Sequence, residues 1–162
     1  MKIINLTPHP LVIQRECQQC CGTGLADAGE PALGPCHKCS DGTEQLTIES
    51  SGIARCVQTD IEIGHIDGIP VVRSEFGAVE GLPPADPSTD GFNYECPSCH
   101  SYEWHQFGCE ACGRQPQVYV VSSIAAQAVP ERADVYVPAR PIRDGQGRII
   151  GCAALGRIPG GA

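Results

Sequence analysis

Four C-x2-C pairs, grouped in two sets, restrict the fold of this chain more than any other feature of its sequence. The first set is Cys17, Cys20, Cys36 and Cys39, and the second is Cys96, Cys99, Cys109 and Cys112. A C-x2-C turn directs two sulfur atoms toward one side of a tetrahedral ion, and a second pair across a loop completes the four ligands. The spacing predicts two structural zinc ions per chain, held by zinc-ribbon-like insertions at residues 15–44 and 90–115.

Two other interpretations of the pairs stay open, namely disulfides and a redox-active pair. A redox C-x2-C normally occurs once, at a helix start after a strand, and the two matched sets lack that context. His37, His100 and His105 lie near the cysteines and could replace a sulfur ligand, although exposed loop histidines are the plainer interpretation. Eleven cysteines are present. Cys56 and Cys152 are expected to be small buried apolar residues, whereas Cys21 has no assigned role.

Outside the two insertions, the sequence predicts a single β-rich domain over residues 1–162, an α+β chain in which strands dominate. Glycine (19) and proline (14) are abundant, and no long apolar stretch repeats with a helical period. A short helix is expected at Ile124–Ala128, with Ser122 or Ser123 as its N-cap and Pro130 just beyond it. The predicted strands are Ile3–Thr7, Leu11–Ile13, Leu46–Ile48, Ala54–Val57, Ile69–Val72, Val118–Ser123, Val135–Pro138 and Arg148–Cys152.

The charge of the chain is unevenly placed. The net charge is −8; residues 1–113 hold 5 basic and 16 acidic residues, whereas residues 114–162 hold 6 arginines and 3 acids. This composition argues against a nucleic-acid partner, because phosphate contacts need a basic surface. No stretch is long and apolar enough to cross a membrane, and the N-terminus lacks a signal pattern. Together with the paired cysteines, these features predict a cytoplasmic protein.

The segment Arg140–Asp144 is the strongest candidate for binding an anion. Pro138 and Pro141 restrict the backbone around Arg140 and Arg143, which lowers the entropy lost when a guanidinium group is fixed on a phosphate. The alternative is a solvated turn in which Arg143 pairs with Asp144. Nearby, Arg132 stands between Glu131 and Asp134, a pattern that indicates a salt-bridged turn more than an acid–base pair.

No motif for a nucleophile elbow, a phosphate-binding loop or a catalytic zinc is present, and we therefore expect a protein that is not an enzyme. Its rival from another class is a zinc-ribbon adaptor that contacts protein or nucleic acid. That adaptor would use an aromatic surface on the second insertion. The residues of this surface are Tyr102, Trp104, His105 and Phe107.

Seven strings occur in order along the chain and carry a family resemblance. They are Asn5–Pro10, Gly52–Arg55, Gly68–Val72, Gly77–Pro83, Tyr119–Ser123, Pro130–Val135 and Ile142–Gly151. As an ordered set they resemble a family of small phage proteins, similar to the first-described type of anti-Thoeris sponge. The resemblance implies a β-rich protein that forms homo-oligomers, and we expect these to be built from symmetric dimers, because a small core gains from burying further strand edges. It implies that cyclic ADP-ribose-type immune signals are bound between protomers without cleavage, and that some members also take cyclic oligonucleotides. The two cysteine insertions depart from the compact pattern of that family.

The leading hypothesis is thus a phage-encoded sponge that sequesters a nucleotide second messenger in the cytosol of the infected bacterium. In such a protein, Arg140 and Arg143 would bind phosphate, Tyr136 would stack on a base, and Ser122 or Ser123 would add neutral hydrogen-bond donors. The candidate ligand-binding residues are Ser122, Ser123, Arg132, Tyr136, Arg140, Arg143 and Asp144.

Overall fold

The computed structural model describes residues 1–20, 36, 38–39, 41–85, 96, 98–101, 104–105 and 108–159. Most of the secondary structure in these residues is strand, with one short helix, as the sequence predicted. The elements are β1 Lys2–Asn5, β2 Leu11–Glu16, β3 Thr43–Ile48, β4 Gln58–Ile66, β5 Ile69–Phe76, β6 Trp104–His105, β7 Gly108–Cys109, β8 Gln117–Val120, α1 Ser123–Gln127, β9 Val135–Arg143 and β10 Ile149–Gly156.

Six strands form the main sheet, in the order β1-β8-β9-β10-β2-β3. The pairs β1–β8, β8–β9 and β10–β2 are parallel, whereas β9–β10 and β2–β3 are antiparallel. A parallel bridge between Asn5 and Ser50 places the end of β1 beside the chain that leaves β3. The sheet therefore curls until its two outer strands meet, which protects strand edges that would otherwise be open.

Two buried clusters fill the interior of the domain. The first packs Leu6 and Tyr119 against Val135 and against the alanines of α1. The second lies between β2, β8 and β10, and its buried members are Leu11, Ile13, Val120 and Cys152. Val135 and Val137 belong to the first cluster and Tyr136 packs against the second, so the two clusters hold the first residues of β9, the strand that carries the predicted arginines.

The helix begins where the sequence predicts. Ser122 has extended backbone angles, and its side-chain oxygen accepts a 3.2 Å hydrogen bond from the backbone N–H of Ala125. This bond satisfies one of the N–H groups left open in the first turn. Ala125 and Ala126 are buried in the first cluster, so packing holds a helix too short to be stable by itself.

The observed strands differ from the sequence expectation in three main respects. β9 continues to Arg143, where a turn was expected, because it pairs with β10 as far as the Arg143–Ile149 register. Ala54–Val57 is not a strand; it makes only an isolated bridge, between Arg55 and Glu80. β4 was not predicted at all, and it pairs with β5 in a separate two-stranded hairpin.

Candidate metal centres and a proline-lined cleft

The first cysteine cluster sits at the end of a continuous ladder between β2 and β3. Glu16 pairs with Thr43, and the Cys17 N–H donates a 2.7 Å hydrogen bond to the Gly42 carbonyl. The two ends of the insertion are thus held side by side, and the insertion itself spans 17–42, slightly less than expected. The four sulfur atoms lie within 4.8 Å of one another, and Cys17, Cys20 and Cys36 are buried.

The second cluster is built from two similar tight turns. His100 N–H donates to the Cys96 carbonyl, and Gly113 N–H donates to the Cys109 carbonyl, both at 2.8 Å. Gly113 has a φ of +71°, a conformation that glycine adopts without strain. Its four sulfur atoms also lie within 4.8 Å of one another, but here only Cys96 and Cys109 are buried. The other two cysteines of this cluster, Cys99 and Cys112, are exposed to solvent.

Both clusters fit a tetrahedral metal ion. A zinc ion with Zn–S bonds of about 2.3 Å separates its sulfur ligands by about 3.8 Å. The Cys17–Cys36 and Cys20–Cys39 sulfurs are 3.9 and 3.5 Å apart. The Cys96–Cys112 and Cys99–Cys109 sulfurs are both 3.6 Å apart. Each cluster can therefore hold one metal ion, and four thiol donors favour a soft ion over magnesium or calcium.

The electrostatics of the sulfur atoms agree with this conclusion. Burial, together with hydrogen bonds to the Cys20 and Cys36 thiols, raises the pKa of Cys39 to about 12. In the second cluster, burial opposes ionisation of Cys96, but hydrogen bonds from the backbone at Ser98 and Cys99 outweigh it and lower the pKa of Cys96 to about 6. Neighbouring thiols resist losing all their protons unless a cation shares the charge, and a bound dication removes that cost.

The remaining cysteines and histidines lie at different places: some are described and packed in the sheet or beside the helix, and others fall outside the described residues. Cys152 is buried in the sheet, as expected, and burial raises its pKa. Cys56 is only half-buried, and its thiol donates a 3.6 Å hydrogen bond to the Ile124 carbonyl. Cys21 and His37 lie outside the described residues, as do Tyr102 and Phe107 of the predicted aromatic surface. The backbone of Trp104 and His105 forms β6, which pairs with β7.

A cleft of about 510 Å³ opens between the 7–10 turn and the hairpin formed by β9 and β10. We call it the proline cleft, after the three prolines in its wall. Its lining includes Thr7, His9, Pro10, Pro138, Pro141 and Ile149. The size is typical of small-molecule sites, and the walls are mainly apolar with a few polar groups, as such sites require.

Arg140 shapes the β9 wall of this cleft through its backbone. Its φ is +52°, which is unusual for a residue with a side chain and doubly so before a proline. Side chains three residues apart in a regular strand point to opposite faces. The positive φ interrupts that alternation, and as a result both Pro138 and Pro141 line the cleft. The exposed Arg140 side chain makes no hydrogen bond or ion pair with any described residue.

Arg143 and Asp144 lie at the tip of the same hairpin, where they hold the turn. Arg143 donates a 2.7 Å hydrogen bond to the Gly147 carbonyl. Asp144 accepts from the side chain of Arg148 at 2.8 Å, and from the backbone N–H groups of Gln146 and Arg148. The hydrogen bond from the Arg148 side chain, with those from the backbone, lowers the pKa of Asp144. Asp144 therefore pairs with Arg148 and not with Arg143.

Arg132 is engaged inside the protein. Its guanidinium group donates two 2.7 Å hydrogen bonds to the carboxylate of Asp134 and a 3.0 Å hydrogen bond to the Pro83 carbonyl. Asp134 is 1% exposed, and the Tyr119 ring centroid lies 6.0 Å from the guanidinium carbon. These contacts confirm the salt-bridged turn and leave Arg132 a structural residue, away from the proline cleft.

The other predicted ligand residues do not gather at one place. Ser122 lines a second cavity of about 290 Å³ with Arg55 and Cys56. Ser123 is exposed on α1, and Tyr136 packs against the second buried cluster. The prediction missed Thr7 and His9, which line the proline cleft. The sequence feature that could have pointed to them is the polar stretch between two predicted strands, within the Asn5–Pro10 string.

Within the described part of the chain, no helix has both the length and the apolar character that a membrane span requires. No protein-family model matches the chain, and the comparisons with curated proteins and with solved structures return no match.

Proposed function

We propose that this protein is a non-enzymatic sponge that binds and sequesters a nucleotide second messenger of the cyclic ADP-ribose type. The observation that carries the proposal is the proline cleft, whose apolar wall includes Pro138 and Pro141 of β9. Arg140 and Arg143 of the same strand lie beside this wall and outside the cleft lining. The family resemblance of the Ile142–Gly151 string supports the same function. On this proposal the protein acts for a phage, in the cytosol of the infected bacterium.

The chemistry of the cleft suits such a ligand. The rings of Pro138 and Pro141 and the side chain of Ile149 offer apolar surface to an adenine base. Among the described residues, Arg140 has no side-chain partner and Arg143 donates only to Gly147, so both have guanidinium donors that can bind a pyrophosphate. Thr7 and His9 supply polar groups for ribose hydroxyls. Cyclic oligonucleotides present the same groups and are a second ligand class to test.

The roles of the remaining candidates follow from their positions. Asp144 positions the turn beside Arg143, and Tyr136 packs against the second buried cluster in place of stacking on a base. Ser122 and Ser123 belong to α1, and Arg132 supports the preceding turn through Asp134. We place the ligand at the proline cleft, and we assign the two clusters one structural zinc ion each.

A zinc-ribbon adaptor is the second candidate, and one observation favours it. Cys99 and Cys112 of the second cluster are exposed, so that insertion presents its metal-binding end to solvent. Such an end is a suitable docking surface for another protein. An adaptor would bind its partner protein without any nucleotide, and this separates it from the sponge.

Retention of a nucleotide separates these functions. The purified protein is incubated with cyclic ADP-ribose isomers, separated from free ligand and denatured, and the released molecule is weighed by mass spectrometry. Release of an intact nucleotide supports the sponge, and release of an altered mass means an enzyme. No retention overturns the sponge and favours the adaptor. Arg15→Ala, which removes an exposed arginine that pairs with Glu44 and does not line the proline cleft, is the matched control for Arg140→Ala.

A further inference from the structure

The two cysteine clusters differ in how well their cysteines are shielded from water. In the first cluster, three of the four cysteines are at most 4% exposed, and the fourth, Cys39, is half-buried. In the second cluster, Cys99 and Cys112 are exposed. Of the ten cysteines that the structure describes, only these two are exposed, since Cys152 is buried and Cys56 is half-buried. A reagent dissolved in water therefore reaches the second cluster more readily than any other described cysteine.

Each exposed cysteine of the second cluster has a buried cysteine beside it. The Cys99 sulfur lies 3.6 Å from that of Cys109, and the Cys112 sulfur lies 3.6 Å from that of Cys96. Cysteines that respond to oxidants combine an accessible thiolate with a nearby cysteine that can form a disulfide with it. The first cluster has sulfur pairs at similar distances but no exposed member, so accessibility is what distinguishes the two clusters.

The second insertion has little besides a metal ion to hold its two C-x2-C turns together. Within the described residues, its buried apolar cluster consists of Cys96 and Cys109 alone. An exposed 2.7 Å hydrogen bond from the Arg114 guanidinium group to the Ser98 hydroxyl also joins the turns, and a single hydrogen bond in water contributes little. Because metal binding and folding are coupled in such sites, loss of the ion should unfold this insertion.

The main sheet is held independently of the second cluster. β8 begins at Gln117, shortly after Cys112. The carbonyl of the buried Pro116 accepts a 2.8 Å hydrogen bond from the Lys2 N–H, and β8 pairs with β1 on one side and with β9 on the other. The first cluster is attached elsewhere, at the end of the ladder between β2 and β3. A change at the second cluster is therefore expected to leave the sheet and the first cluster in place.

We propose that Cys99 and Cys112 form an oxidation site for peroxides, and that a disulfide made there releases the metal ion of the second cluster alone. The first cluster keeps its ion because none of its cysteines is exposed. The proposal rests on the assignment of one zinc ion to each cluster. It goes beyond the proposed function, since it involves neither the proline cleft nor a nucleotide.

The reaction consumes one hydrogen peroxide molecule for each disulfide. The Cys99 thiolate attacks one peroxide oxygen; an S–O bond forms, the O–O bond breaks, and hydroxide leaves. The Cys109 thiolate then attacks the sulfur of this sulfenic acid; the S–S bond forms, the S–O bond breaks, and a second hydroxide leaves. Two protons convert the hydroxides into water. The two sulfurs lose two electrons, the peroxide gains them, and the cluster loses two of its four ligands. Cys112 and Cys96 can react in the same way.

Zinc release under peroxide tests the proposal. Reduced wild-type protein loaded with zinc is treated with excess hydrogen peroxide, and the released ion is measured with a chromogenic chelator; a sample without peroxide gives the background. We expect two phases, with one ion per chain released at least about 10-fold faster than the other. Peptide mapping after the fast phase should find a disulfide among the cysteines of the second cluster, while those of the first cluster remain reduced.

Three variants assign the phases. Cys17→Ser disrupts the first cluster, so the ion that remains belongs to the second cluster and should leave at the fast rate. Cys96→Ser disrupts the second cluster, and its remaining ion should leave at the slow rate. Cys56→Ser, outside both clusters, should release both ions as wild type does. Circular dichroism verifies that the main sheet is folded in every variant.

The possible results separate the oxidation site from the zinc assignment. Release of both ions at one rate, or a fast phase that persists in Cys96→Ser, would overturn the oxidation site and leave the zinc assignment intact. A second cluster that binds no zinc in the reduced protein would overturn both. None of these results depends on whether the protein binds a nucleotide.

Discussion

The side-chain amide of Asn5 donates a 3.0 Å hydrogen bond to the carbonyl oxygen of Ile48, and this contact ties the last residue of β1 to the last residue of β3. The same nitrogen donates to the His9 carbonyl at 2.8 Å, and the side-chain oxygen accepts from the Thr7 N–H at 3.0 Å. Asn5 is fully buried. One side chain thus closes the curled sheet and fixes the turn that lines the proline cleft.

Asn5→Ala should therefore lower the free energy of unfolding by about 2–4 kcal/mol, since several buried polar groups lose their partners together. Thr7→Val removes only a hydroxyl group from the same network and should cost about 1 kcal/mol. Urea denaturation of both variants measures these values. A loss of less than about 0.5 kcal/mol in Asn5→Ala would mean that the network does not hold the sheet closed.

The Arg132–Asp134 ion pair predicts a second stability effect. Asp134→Ala leaves a mostly buried guanidinium group without its carboxylate, and we expect a loss of about 3–5 kcal/mol. An apolar replacement of the pair, Arg132→Met with Asp134→Leu, should recover part of that loss, because no uncompensated charge stays buried. Thermal unfolding of the single and double variants tests this coupling; additive effects would contradict it.

The two cysteine clusters predict two zinc ions per chain. Cys17→Ser or Cys96→Ser should each reduce the metal content by one ion and unfold one insertion, while the main sheet keeps its fold. Cys56→Ser, outside both clusters, is the control and should retain both ions. Elemental analysis gives the metal content, and hydrogen exchange locates the unfolding. Fewer than one zinc ion per chain in reduced wild-type protein would refute the assignment.

Arg140 and Arg143, the two arginines of β9 beside the proline cleft, should differ when they are replaced. Each charge-assisted phosphate hydrogen bond contributes about 1.5–3 kcal/mol, so Arg140→Ala or Arg143→Ala should weaken nucleotide binding by about 10- to 150-fold. Arg140→Ala should leave the melting temperature unchanged. Arg143→Ala should lower it slightly, since Arg143 also donates to Gly147. Calorimetric titration measures the affinity, and binding within threefold of wild type would place the ligand elsewhere.

Asp144 predicts a dependence of stability on pH. Its pKa is lowered in the folded protein, first by the hydrogen bond from Arg148. A lowered folded pKa means that the stabilisation is complete above the unfolded value of about 4 and is lost as the pH falls through the folded value. Wild type should accordingly be more stable than Asp144→Asn at pH 7, and the difference should shrink in acid. Denaturation curves over pH 2–7 test this; a constant difference would exclude the ionised carboxylate as its source.

Local chemistry explains what could be predicted from the sequence. The helix cap at Ser122, the Arg132–Asp134 pair and both cysteine clusters depend on residues that are near in sequence or bound by strict ligand geometry. Such features leave a pattern in a short window of residues. The fold class follows from the same windows, because turn residues separate short β-branched runs.

The features that could not be predicted from the sequence depend on pairing between strands that are far apart in the chain. The strands on either side of the 7–10 turn, β1 and β2, were expected, but they do not pair with each other. β1 pairs with β8, whereas β2 pairs with β3 and β10. The proline cleft arises where these distant strands meet, and its Thr7 and His9 carry no spacing that links them to Pro138. β4 was missed because its acidic residues and Gly64 interrupt the usual strand pattern.

The ladder that continues from Glu16–Thr43 into the Cys17–Gly42 hydrogen bond makes the first insertion a removable unit. Adjacent antiparallel strands can be joined by a two-residue turn, so a gene in which Asn-Gly replaces codons 17–42 should still encode the curled sheet. The same junction would accept unrelated cargo, such as an epitope or a fluorescent reporter, without moving the proline cleft. In an evolving lineage, this position could gain or lose a metal-binding loop in one recombination event.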